Sequence, residues 1–563
     1  MKVIFKNRFL LLAILAFLVS LFAYSQFFGV RFMDFDVVPK ITYHAGTGPG
    51  AILKIFTEKE GFVLFQMGYR PFTSLVWWSF LMLFGLDFMP FHFLNFLLHA
   101  INSVLVFLLA RKLLKDNSGI FSFIAALVFA LHPVQLEVVV LVSRFAELLV
   151  AFFLLSALLS FDMFLRGGKK KFYIASLFLS FLGMLSKEAG CLIPFMLFFY
   201  AMIFQKGKPG LSQTLKLLRT FIPFFASIAI FAGMLFLVLG QFGGYVVPIE
   251  KMPPGSITAS FFQKLFYPIH FFGPDSSLFP MAFPEGADLL FSLLFAAFCI
   301  LFLFFLSRKS KELFFLFLFI FSFLTAYIAF GFFQGWYLYA PSAAFSIIVA
   351  FLLKACFEKT VKRREYSVFL FLISLLSASF IALSPLLVPY PQPLYAGKIA
   401  QAAFDATLPA VGGLPQNSVL YLVNYPEYYW RQENNYVFAA PVISHVAMHG
   451  FLKYHFPESS FRLMSLTYTT PIGPDINPDD YRFYKAGEME LVLEKSGGSE
   501  NLYIAYNGGE SEAEIEGIKM KKTAEGGTER ISFSLPDWGF ENHYILFFNG
   551  QEVKVVPIYA SAG

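Results

Sequence analysis

Charged residues and cysteines are both scarce in this chain of 563 residues. Asp, Glu, Lys and Arg together make up 14% of it, against about 25% in soluble domains, and this shortage excludes an ordinary soluble protein. The three cysteines, Cys191, Cys299 and Cys356, all lie in or beside apolar runs, so neither a disulfide framework nor redox chemistry is predicted. The net charge of +6 is small for this length, and nucleic acid is not predicted as a partner.

Apolar residues are abundant instead, at 57% of the chain with 19% aromatic residues and a mean hydropathy of +0.65. They gather in runs suited to a hydrocarbon core of about 30 Å, which a helix of about 20 residues crosses. The pattern predicts a polytopic α-helical membrane protein with about eleven transmembrane helices. The predicted spans are Phe9–Val30, Phe91–Ala110, Ile120–Val142, Phe145–Leu165, Phe172–Leu185, Cys191–Phe204, Phe221–Leu239, Leu289–Leu306, Leu313–Phe330, Tyr337–Leu353 and Val368–Val388.

Basic residues set the predicted orientation. About half of the 43 Lys and Arg residues lie in clusters at every second gap between spans, beginning with Lys2, Lys6 and Arg8. The positive-inside rule then places the N-terminus in the cytoplasm and the C-terminus outside an integral plasma (cytoplasmic) membrane protein. The first span is interpreted as an uncleaved anchor and not a signal peptide, because its apolar stretch is too long.

Two long outside loops are predicted, at residues 31–90 and 240–288. Within the first, the segment Phe72–Gly85 is too short to span comfortably and carries the pair Trp77 and Trp78. Aromatic residues favour the membrane interface, so we expect a helix lying in that plane and forming the floor of an outside cavity.

The composition changes after the last span, where three prolines occur between residues 389 and 393. The chain is therefore divided into a transmembrane domain, residues 1–389, and an extracytoplasmic soluble domain, residues 390–563. Alternating apolar segments predict an α/β or mostly β fold for the second domain. Predicted strands include residues 419–423, residues 501–506 and a hairpin around Asn549-Gly550, which forms a strong two-residue turn signal.

Ionisable residues recur at the outer ends of the spans. Such charges are costly near a bilayer and commonly mark a functional path or a water-filled cavity. Paired acids can act as a general base or bind a divalent cation, and basic groups can hold a phosphate. The alternative is that the acids cap the membrane boundary and stay solvated. The residues concerned are Asp34, Asp36, Arg70, His132, Glu137, Arg144, Glu147, Lys187 and Glu188.

The second predicted span carries a polar stripe. His92, Asn95, His99 and Asn102 are spaced by three, four and three residues, which places all four on one helical face. The two histidines are about 10.5 Å apart along the axis, too far to share one metal ion. The stripe is interpreted either as interhelical hydrogen bonding or as part of substrate handling.

Four segments in consistent order carry a family resemblance: YRPF at residues 69–72, the stretch from Phe91, ALVFALHPVQLEVVVLVSRFAELL at residues 126–149, and LSKEAG from Leu185. Together they resemble the GT-C superfamily of polyprenyl-phosphate-sugar-dependent glycosyltransferases. The likeness is to the transmembrane O-mannosyltransferases that carry tetratricopeptide repeats, and to their bacterial relatives, and it covers roughly residues 9–350.

The resemblance implies an inverting transfer of a sugar from a polyprenyl-phosphate donor, held in the membrane, to an acceptor protein or glycan on the outer face. It implies that Asp34 and Asp36, in the first outside loop, are catalytic. No cofactor is implied with certainty, a divalent cation is an option, and its ligands are unknown. The residues expected to bind the donor phosphate or substrate are Arg70, His92, His132, Glu137, Arg144, Glu147, Lys187, Glu188 and Tyr337.

The chain departs from that family at two places. Trp336, in the segment GWYLYAPS, stands where the relatives are expected to have an arginine, a natural phosphate ligand. The repeats are absent and replaced by residues 390–563, which could bind a membrane or surface partner. The alternative hypothesis is therefore a non-catalytic GT-C-like scaffold or partner-binding subunit. A transporter or flippase is disfavoured because no internal pseudo-repeat is visible.

Overall fold

The structure, a computed structural model, describes residues 2–31, 37–42, 50–58, 60–61, 67–205, 211–242, 251–266, 286–363, 392–426, 428–433, 436–441, 445–470, 477–487, 490–496, 501–504, 511–515, 517–525, 528–535 and 542–558. The predicted span Val368–Val388 and the predicted catalytic pair, Asp34 and Asp36, lie outside these residues. Up to residue 363 the described chain is mainly helical: α1 Lys2–Ala23, α2 Val37–Thr42, α3 Ala51–Thr57, α4 Pro71–Phe84, α5 Phe88–Leu113, α6 Ile120–Leu131, α7 Gln135–Val140, α8 Phe145–Gly167, α9 Lys170–Ser186, α10 Leu192–Phe204, α11 Leu211–Leu239, α12 Pro254–Leu265, α13 Gly286–Ser307, α14 Lys311–Phe330 and α15 Tyr339–Arg363. A short hairpin pairs β1 Glu60–Gly61 with β2 Met67–Gly68.

Within the described residues, six helical segments are long and apolar enough to cross a membrane. Four shorter apolar helices accompany them, among them Pro71–Phe84, the helix predicted to lie in the interface. The prediction of a helical membrane protein is confirmed, whereas the count of eleven spans stays a prediction. The six long segments are Arg8–Phe27, Phe88–Leu113, Val142–Gly167, Leu215–Leu239, Lys311–Phe330 and Gly335–Glu358.

The predicted span Ile120–Val142 is not one continuous helix, because the helix breaks in its middle. Helix α6 ends at Leu131 and α7 resumes only at Gln135. Pro133 has no backbone N–H and its ring collides with the preceding helical turn, so the chain leaves the helix there. The side chain of His132 accepts a hydrogen bond from the Val134 N–H at 3.2 Å, which holds the break. The residues after it turn back to the start of α8.

The polar stripe of α5 connects helices. The Asn95 amide donates to the Val139 carbonyl at 3.2 Å. The His99 Nδ1 and Asn102 Nδ2 atoms lie 2.8 Å and 3.2 Å from the hydroxyl oxygen of Tyr339, on α15. The interpretation as interhelical hydrogen bonding is confirmed for these three residues. Their hydrogen bonds fix the relative positions of the helices that carry the residues of the candidate site.

Helix α12 lies within the predicted outside loop 240–288 and is packed into the protein. Its Ile257, Phe261, Phe262 and Leu265 are fully buried, because their spacing places them along one side of a helix. The Leu265 carbonyl lies 3.1 Å from the Nε2 atom of His132. The predicted loop is thus partly a structural element that packs near the α6–α7 break.

The C-terminal part contains α16 Gln392–Val411, α17 His445–His455 and fourteen described strands: β3 Val419–Val423, β4 Tyr425–Pro426, β5 Tyr428–Glu433, β6 Tyr436–Pro441, β7 Arg462–Ser465, β8 Thr467–Thr470, β9 Tyr481–Lys485, β10 Glu490–Ser496, β11 Asn501–Ile504, β12 Glu512–Ile515, β13 Ile518–Glu525, β14 Thr528–Ser534, β15 His543–Phe548 and β16 Val553–Pro557. One sheet has the order β16-β15-β3-β7, with β3 parallel to both of its neighbours. A second has the order β12-β13-β14-β10-β9 and is antiparallel throughout. Smaller sheets are β11-β8-β4 and β5-β6. A C-terminal region rich in sheet is confirmed.

The predicted C-terminal hairpin is present, with a different turn. Phe548 pairs with Val553, so four residues separate the strands instead of two. The side chain of Asn549 accepts from the backbone N–H groups of Gln551 and Glu552 at 3.0 Å and 2.8 Å. These hydrogen bonds pair the backbone N–H groups of the longer loop. The loop also requires a positive φ at Gly550, which is 106°.

The C-terminal region packs against the chain on both sides of residues 32–36. A Cβ atom added to Gly397 on α16 would lie 2.9 Å from the backbone nitrogen of Arg31, so the two backbones are in close contact. Helix α17 packs on α2, and the Thr42 hydroxyl donates to the Gly450 carbonyl at 3.3 Å. Arg31 and α2 are therefore both in contact with the C-terminal region.

Candidate functional site

Five of the predicted donor-binding residues converge at the N-terminal end of α8. They come from four parts of the sequence: the residue before α4, the first turn of α8, the link that follows α9, and the 3₁₀ helix Gly335–Leu338 before α15. We call this group the Glu147 cluster; its members are Arg70, Glu147, Lys187, Glu188 and Tyr337.

Two ion pairs organise the Glu147 cluster. The Lys187 ammonium pairs with the Glu147 carboxylate, and both side chains are nearly buried, 11% and 8% exposed. The Arg70 Nη2 atom donates to Glu188 Oε2 at 3.1 Å, with the side chains 22% and 34% exposed. One pair is thus enclosed within the protein, while the neighbouring pair is partly exposed.

The electrostatic environment changes the titration of the two residues in the link after α9. Burial lowers the pKa of the Lys187 ammonium and the positive charge of Arg70 adds to this effect, although Glu147 opposes it. Burial raises the pKa of the Glu188 carboxyl, but Arg70 and Lys187 outweigh that effect and hold its pKa below the usual range. Glu188 is therefore ionised at neutral pH.

Two adjacent aromatic residues each carry a cation on the ring face. The Lys187 Nζ atom lies 4.3 Å from the ring centroid of Tyr337, and the Arg144 Cζ atom lies 3.9 Å from that of Trp336. The two rings meet edge to face, at 84° and 5.8 Å. Aromatic faces attract cations through their quadrupole, so these rings fix where both charges sit without neutralising them.

Glu137 extends this arrangement, together with a lysine that the sequence reasoning missed. At Gly335 an added Cβ atom would lie 3.3 Å from Glu137 Oε2 and 3.8 Å from the Nζ atom of Lys264. Both charged groups thus approach the backbone beside Trp336. Lys264 lies at the end of α12. Basic residues are few in the predicted outside loops, so the presence of a lysine in one of them could have indicated a functional residue.

The two predicted histidines take a different place. His92 is 2% exposed, with its ring 6.4 Å from that of Phe88 and 6.2 Å from that of Phe96. His132 is fully buried; its Nδ1 atom accepts from the Val134 N–H at the α6–α7 break, and its Nε2 atom lies 3.1 Å from the Leu265 carbonyl of α12. Their predicted part in substrate binding stays a prediction.

The predicted catalytic residues, Asp34 and Asp36, lie outside the described residues. Val37, the next residue in the chain, begins α2, which packs against the 3₁₀ helix Val142–Arg144. In the described part of the chain no three His, Cys, Asp or Glu side chains converge as a metal site requires. The three cysteines are free thiols.

These features define a class of protein: a helical membrane protein with a partly enclosed group of cations where several helices end. Guanidinium and ammonium groups in that setting can bind a phosphate and stabilise negative charge that develops on a leaving group.

Comparison with known proteins specifies this class. Residues 70–235 match the family described as dolichyl-phosphate-mannose-protein mannosyltransferase. The chain is 44% identical over 93 residues to Protein O-mannosyl-transferase TMTC3 of Homo sapiens, covering 16% of this chain and 10% of that protein. It is 31% identical over 132 residues to Protein O-mannosyl-transferase TMTC1 of Homo sapiens, covering 22% and 15%. A protein O-mannosyl-transferase of Caenorhabditis elegans is 32% identical over 124 residues, covering 22% and 17%.

The resemblance inferred from the sequence is thereby confirmed: over the matched segments the chain is similar to GT-C-type O-mannosyltransferases. The matched segments span no more than about a sixth of the length of these relatives. Residues 70–235 contain Arg70, Glu147, Lys187 and Glu188. Most of the Glu147 cluster thus belongs to the matched segment.

Proposed function

We propose that this protein is an integral membrane, inverting glycosyltransferase that moves a sugar from a polyprenyl-phosphate donor to a protein or glycan acceptor on the outer face of the membrane. The observation that carries the proposal is the Glu147 cluster, a convergence of cations within a segment that matches mannosyltransferases. The mannosyltransferase names of the relatives favour mannose as the first sugar to test.

The donor phosphate is proposed to bind among Arg70, Arg144, Lys187 and Lys264. A guanidinium can make two parallel hydrogen bonds to a phosphate, and an ammonium supplies a compact charge. As the bond from the sugar to the phosphate breaks, negative charge grows on the phosphate oxygen, and these cations stabilise it. Glu137, Glu147, Glu188 and Tyr337 hold the cations in place, and the proposed part of His92 and His132 is in binding the substrate, as the resemblance implies.

Asp34 or Asp36 is proposed to remove the proton from the acceptor hydroxyl as that oxygen attacks the anomeric carbon. The oxygen–carbon bond forms on the face opposite the departing phosphate, so the anomeric configuration inverts and no covalent enzyme intermediate is needed. The proposal is supported by α2, which begins directly after Asp36 and packs against the 3₁₀ helix that contains Arg144. A divalent cation remains an option at the two aspartates.

The proposed topology has eleven spans, a cytoplasmic N-terminus and an outside C-terminus. Residues 1–389 would form the transmembrane domain and residues 390–563 an extracytoplasmic domain that meets the acceptor or a surface partner. The contacts of α16 with Arg31 and of α17 with α2 support this arrangement, because the C-terminal region then meets the start of the predicted first outside loop.

A non-catalytic scaffold of the same fold is the second candidate. Trp336 favours it, because a tryptophan stands where an arginine is expected. The mutual pairing of Lys187 with Glu147 also favours it, since a salt bridge can serve stability alone. Such a protein would bind lipid phosphate or a partner and transfer nothing.

The test is release of radiolabelled sugar by the purified full chain from a small panel of polyprenyl-phosphate sugars, with water or an added peptide as acceptor. We expect release by the wild type and its loss in the double variant Asp34→Asn, Asp36→Asn. In the single variants we expect one to abolish transfer and the other to weaken it. Asp479→Asn, at an exposed carboxylate of the C-terminal region, is the matched control and should keep wild-type activity.

Wild-type release by both single variants would contradict the base assignment. If no sugar is released across the panel but binding of polyprenyl phosphate is measurable, the glycosyltransferase hypothesis fails and the scaffold hypothesis is supported.

A further inference from the structure

Trp336 stands where the family resemblance implies an arginine, and the Arg144 guanidinium lies over its ring, with Cζ 3.9 Å from the ring centroid. Arg144 lies directly before α8 and Trp336 lies in the 3₁₀ helix before α15, so the contact joins two separate helices. Both side chains are partly exposed. The contact is therefore accessible at the edge of the site.

The neighbouring residue repeats the same arrangement, because Lys187 lies on the ring of Tyr337. The Tyr337 ring is itself stacked on Tyr327 at 4.9 Å, and the Tyr327 hydroxyl donates to the Tyr337 carbonyl at 3.0 Å. These contacts hold the backbone on which Trp336 stands. Gly335 brings the backbone next to Glu137 and Lys264 without a side chain of its own.

An aromatic face and an arginine would act differently at position 336. An arginine would bring a second guanidinium close to Arg144, and the two like charges would repel unless an anion bridged them. A tryptophan gives one guanidinium a fixed orientation before the anion arrives. Such preorganisation lowers the cost of binding.

We propose that Trp336 is a positioning residue that orients the Arg144 guanidinium toward the phosphate of the lipid donor. The substitution of the expected arginine is then compatible with donor binding. This inference deepens the proposed function and rests on it for the identity of the ligand. It concerns binding of the phosphate and is separable from transfer of the sugar.

The experiment measures binding of undecaprenyl phosphate to the full chain in lipid nanodiscs, with the unphosphorylated polyprenol as a ligand control. Trp336→Leu removes the aromatic face and should weaken phosphate binding about tenfold, the effect of one partly desolvated cation–π contact. Trp336→Phe keeps an aromatic face and should restore most of the affinity. Polyprenol binding should not change.

A double-mutant cycle with Arg144→Met distinguishes positioning from general packing. If Trp336 acts through Arg144, Trp336→Leu should cost little further affinity once Arg144→Met is present. Trp78→Leu, at a half-buried tryptophan of α4, serves as the control for loss of a large ring. Its thermal stability should fall about as much as that of Trp336→Leu, with phosphate binding retained.

Wild-type affinity in Trp336→Leu, additive losses in the cycle, or absence of phosphate binding by the wild type would each overturn the inference. If phosphate binding depends on Trp336 but no sugar is transferred, the inference stands and the proposed function fails. If sugar is transferred and the donor KM of Trp336→Leu equals that of the wild type, the proposed function stands and the inference fails.

Discussion

Helix α8 carries a buried acid near each end, and the two acids have different surroundings. Near its C-terminal end, Asp162 is 3% exposed and accepts hydrogen bonds from Arg166 at 2.8 Å and from the Tyr200 hydroxyl at 2.7 Å. Lys112 completes the group by pairing with the other carboxylate oxygen. We call Lys112, Asp162, Arg166 and Tyr200 the Asp162 cluster.

At the other end of α8, the cations of the Glu147 cluster and the adjacent Arg144 lie against carboxylates and aromatic rings. Lys187 pairs with Glu147 and also lies on Tyr337, and Arg144 lies on Trp336. The two acids of α8 are fifteen residues apart, about 23 Å along the helix, so the clusters lie at opposite edges of a span.

The surroundings of the two acids distinguish a structural charge from a functional one in this bundle. A carboxylate surrounded by three donors is fully satisfied within the protein and anchors the helices that supply those donors. A cation on an aromatic face is positioned, and its charge can still meet an anion. We therefore expect mutations in the Asp162 cluster to change stability and mutations in the Glu147 cluster to change transfer.

The largest expected effect is in the Glu147 cluster. Lys187→Met should lower the transfer rate by at least about a hundredfold, because it removes a charge that stabilises the departing phosphate. It should also destabilise the fold, since Glu147 is left buried without its partner. Adding Glu147→Gln removes that charge, so the double variant should regain thermal stability and stay inactive. Recovery of transfer in the double variant would assign both residues to structure.

The Asp162 cluster gives the converse prediction. Asp162→Asn leaves Lys112 and Arg166 without their carboxylate and should reduce the free energy of unfolding by about 2–3 kcal/mol. Lys112 and Arg166 are 27% and 64% exposed, which keeps the effect below that of a fully buried pair. Thermal melts should register the loss, while transfer per folded molecule stays at the wild-type rate. A large fall in that rate at unchanged stability would contradict a purely structural role for the Asp162 cluster.

A smaller effect concerns pH. Glu188 has a lowered pKa, so its ionised form supports stability above the unfolded-state pKa, and this support is lost as pH falls through the folded-state value. Arg70→Gln removes a main cause of the lowering. On acidification, the transfer rate and the thermal stability of this variant should therefore begin to fall at a higher pH than those of the wild type. If both quantities fall at the same pH in the variant and in the wild type, Arg70 does not act on Glu188.

The smallest effect tests how the C-terminal region holds the first loop. Gly397→Ala places a Cβ atom 2.9 Å from the Arg31 backbone nitrogen and should cost about 1 kcal/mol of stability, with a modest loss of transfer. Gly413→Ala is the matched control, because nothing lies within 4 Å of its added Cβ atom. Equal stability and equal transfer in the two variants would show that the C-terminal region does not affect the site.

Much of the helical bundle could be predicted from the sequence, because long apolar runs leave few alternatives to a membrane helix. The break at Pro133 could also have been predicted, since a proline within an apolar run is a known interruption. The four-residue turn at Asn549 could not, because the side-chain hydrogen bonds that stabilise it do not follow from the Asn-Gly signal. Helix α12 was missed since its apolar face is short and lies between Pro/Gly-rich stretches.

The candidate site was predictable in its members more than in its geometry. Arg70, Glu147, Lys187 and Glu188 were predicted from their position at the ends of spans and from the family resemblance, and they meet in the structure. Their pairing depends on how four distant segments pack, which periodicity does not encode. The contact of Arg144 with Trp336 could not be foreseen for the same reason.

Transfer by the Glu147 cluster is tested by a single-turnover reaction with a polyprenyl-phosphate donor labelled in both the sugar and the lipid. We predict that the purified wild type forms sugar product and free polyprenyl phosphate in equal amounts, and that the double variant Lys187→Met, Glu147→Gln forms neither while melting like the wild type. No release of polyprenyl phosphate by the folded wild type, or equal release by wild type and double variant, would contradict the account.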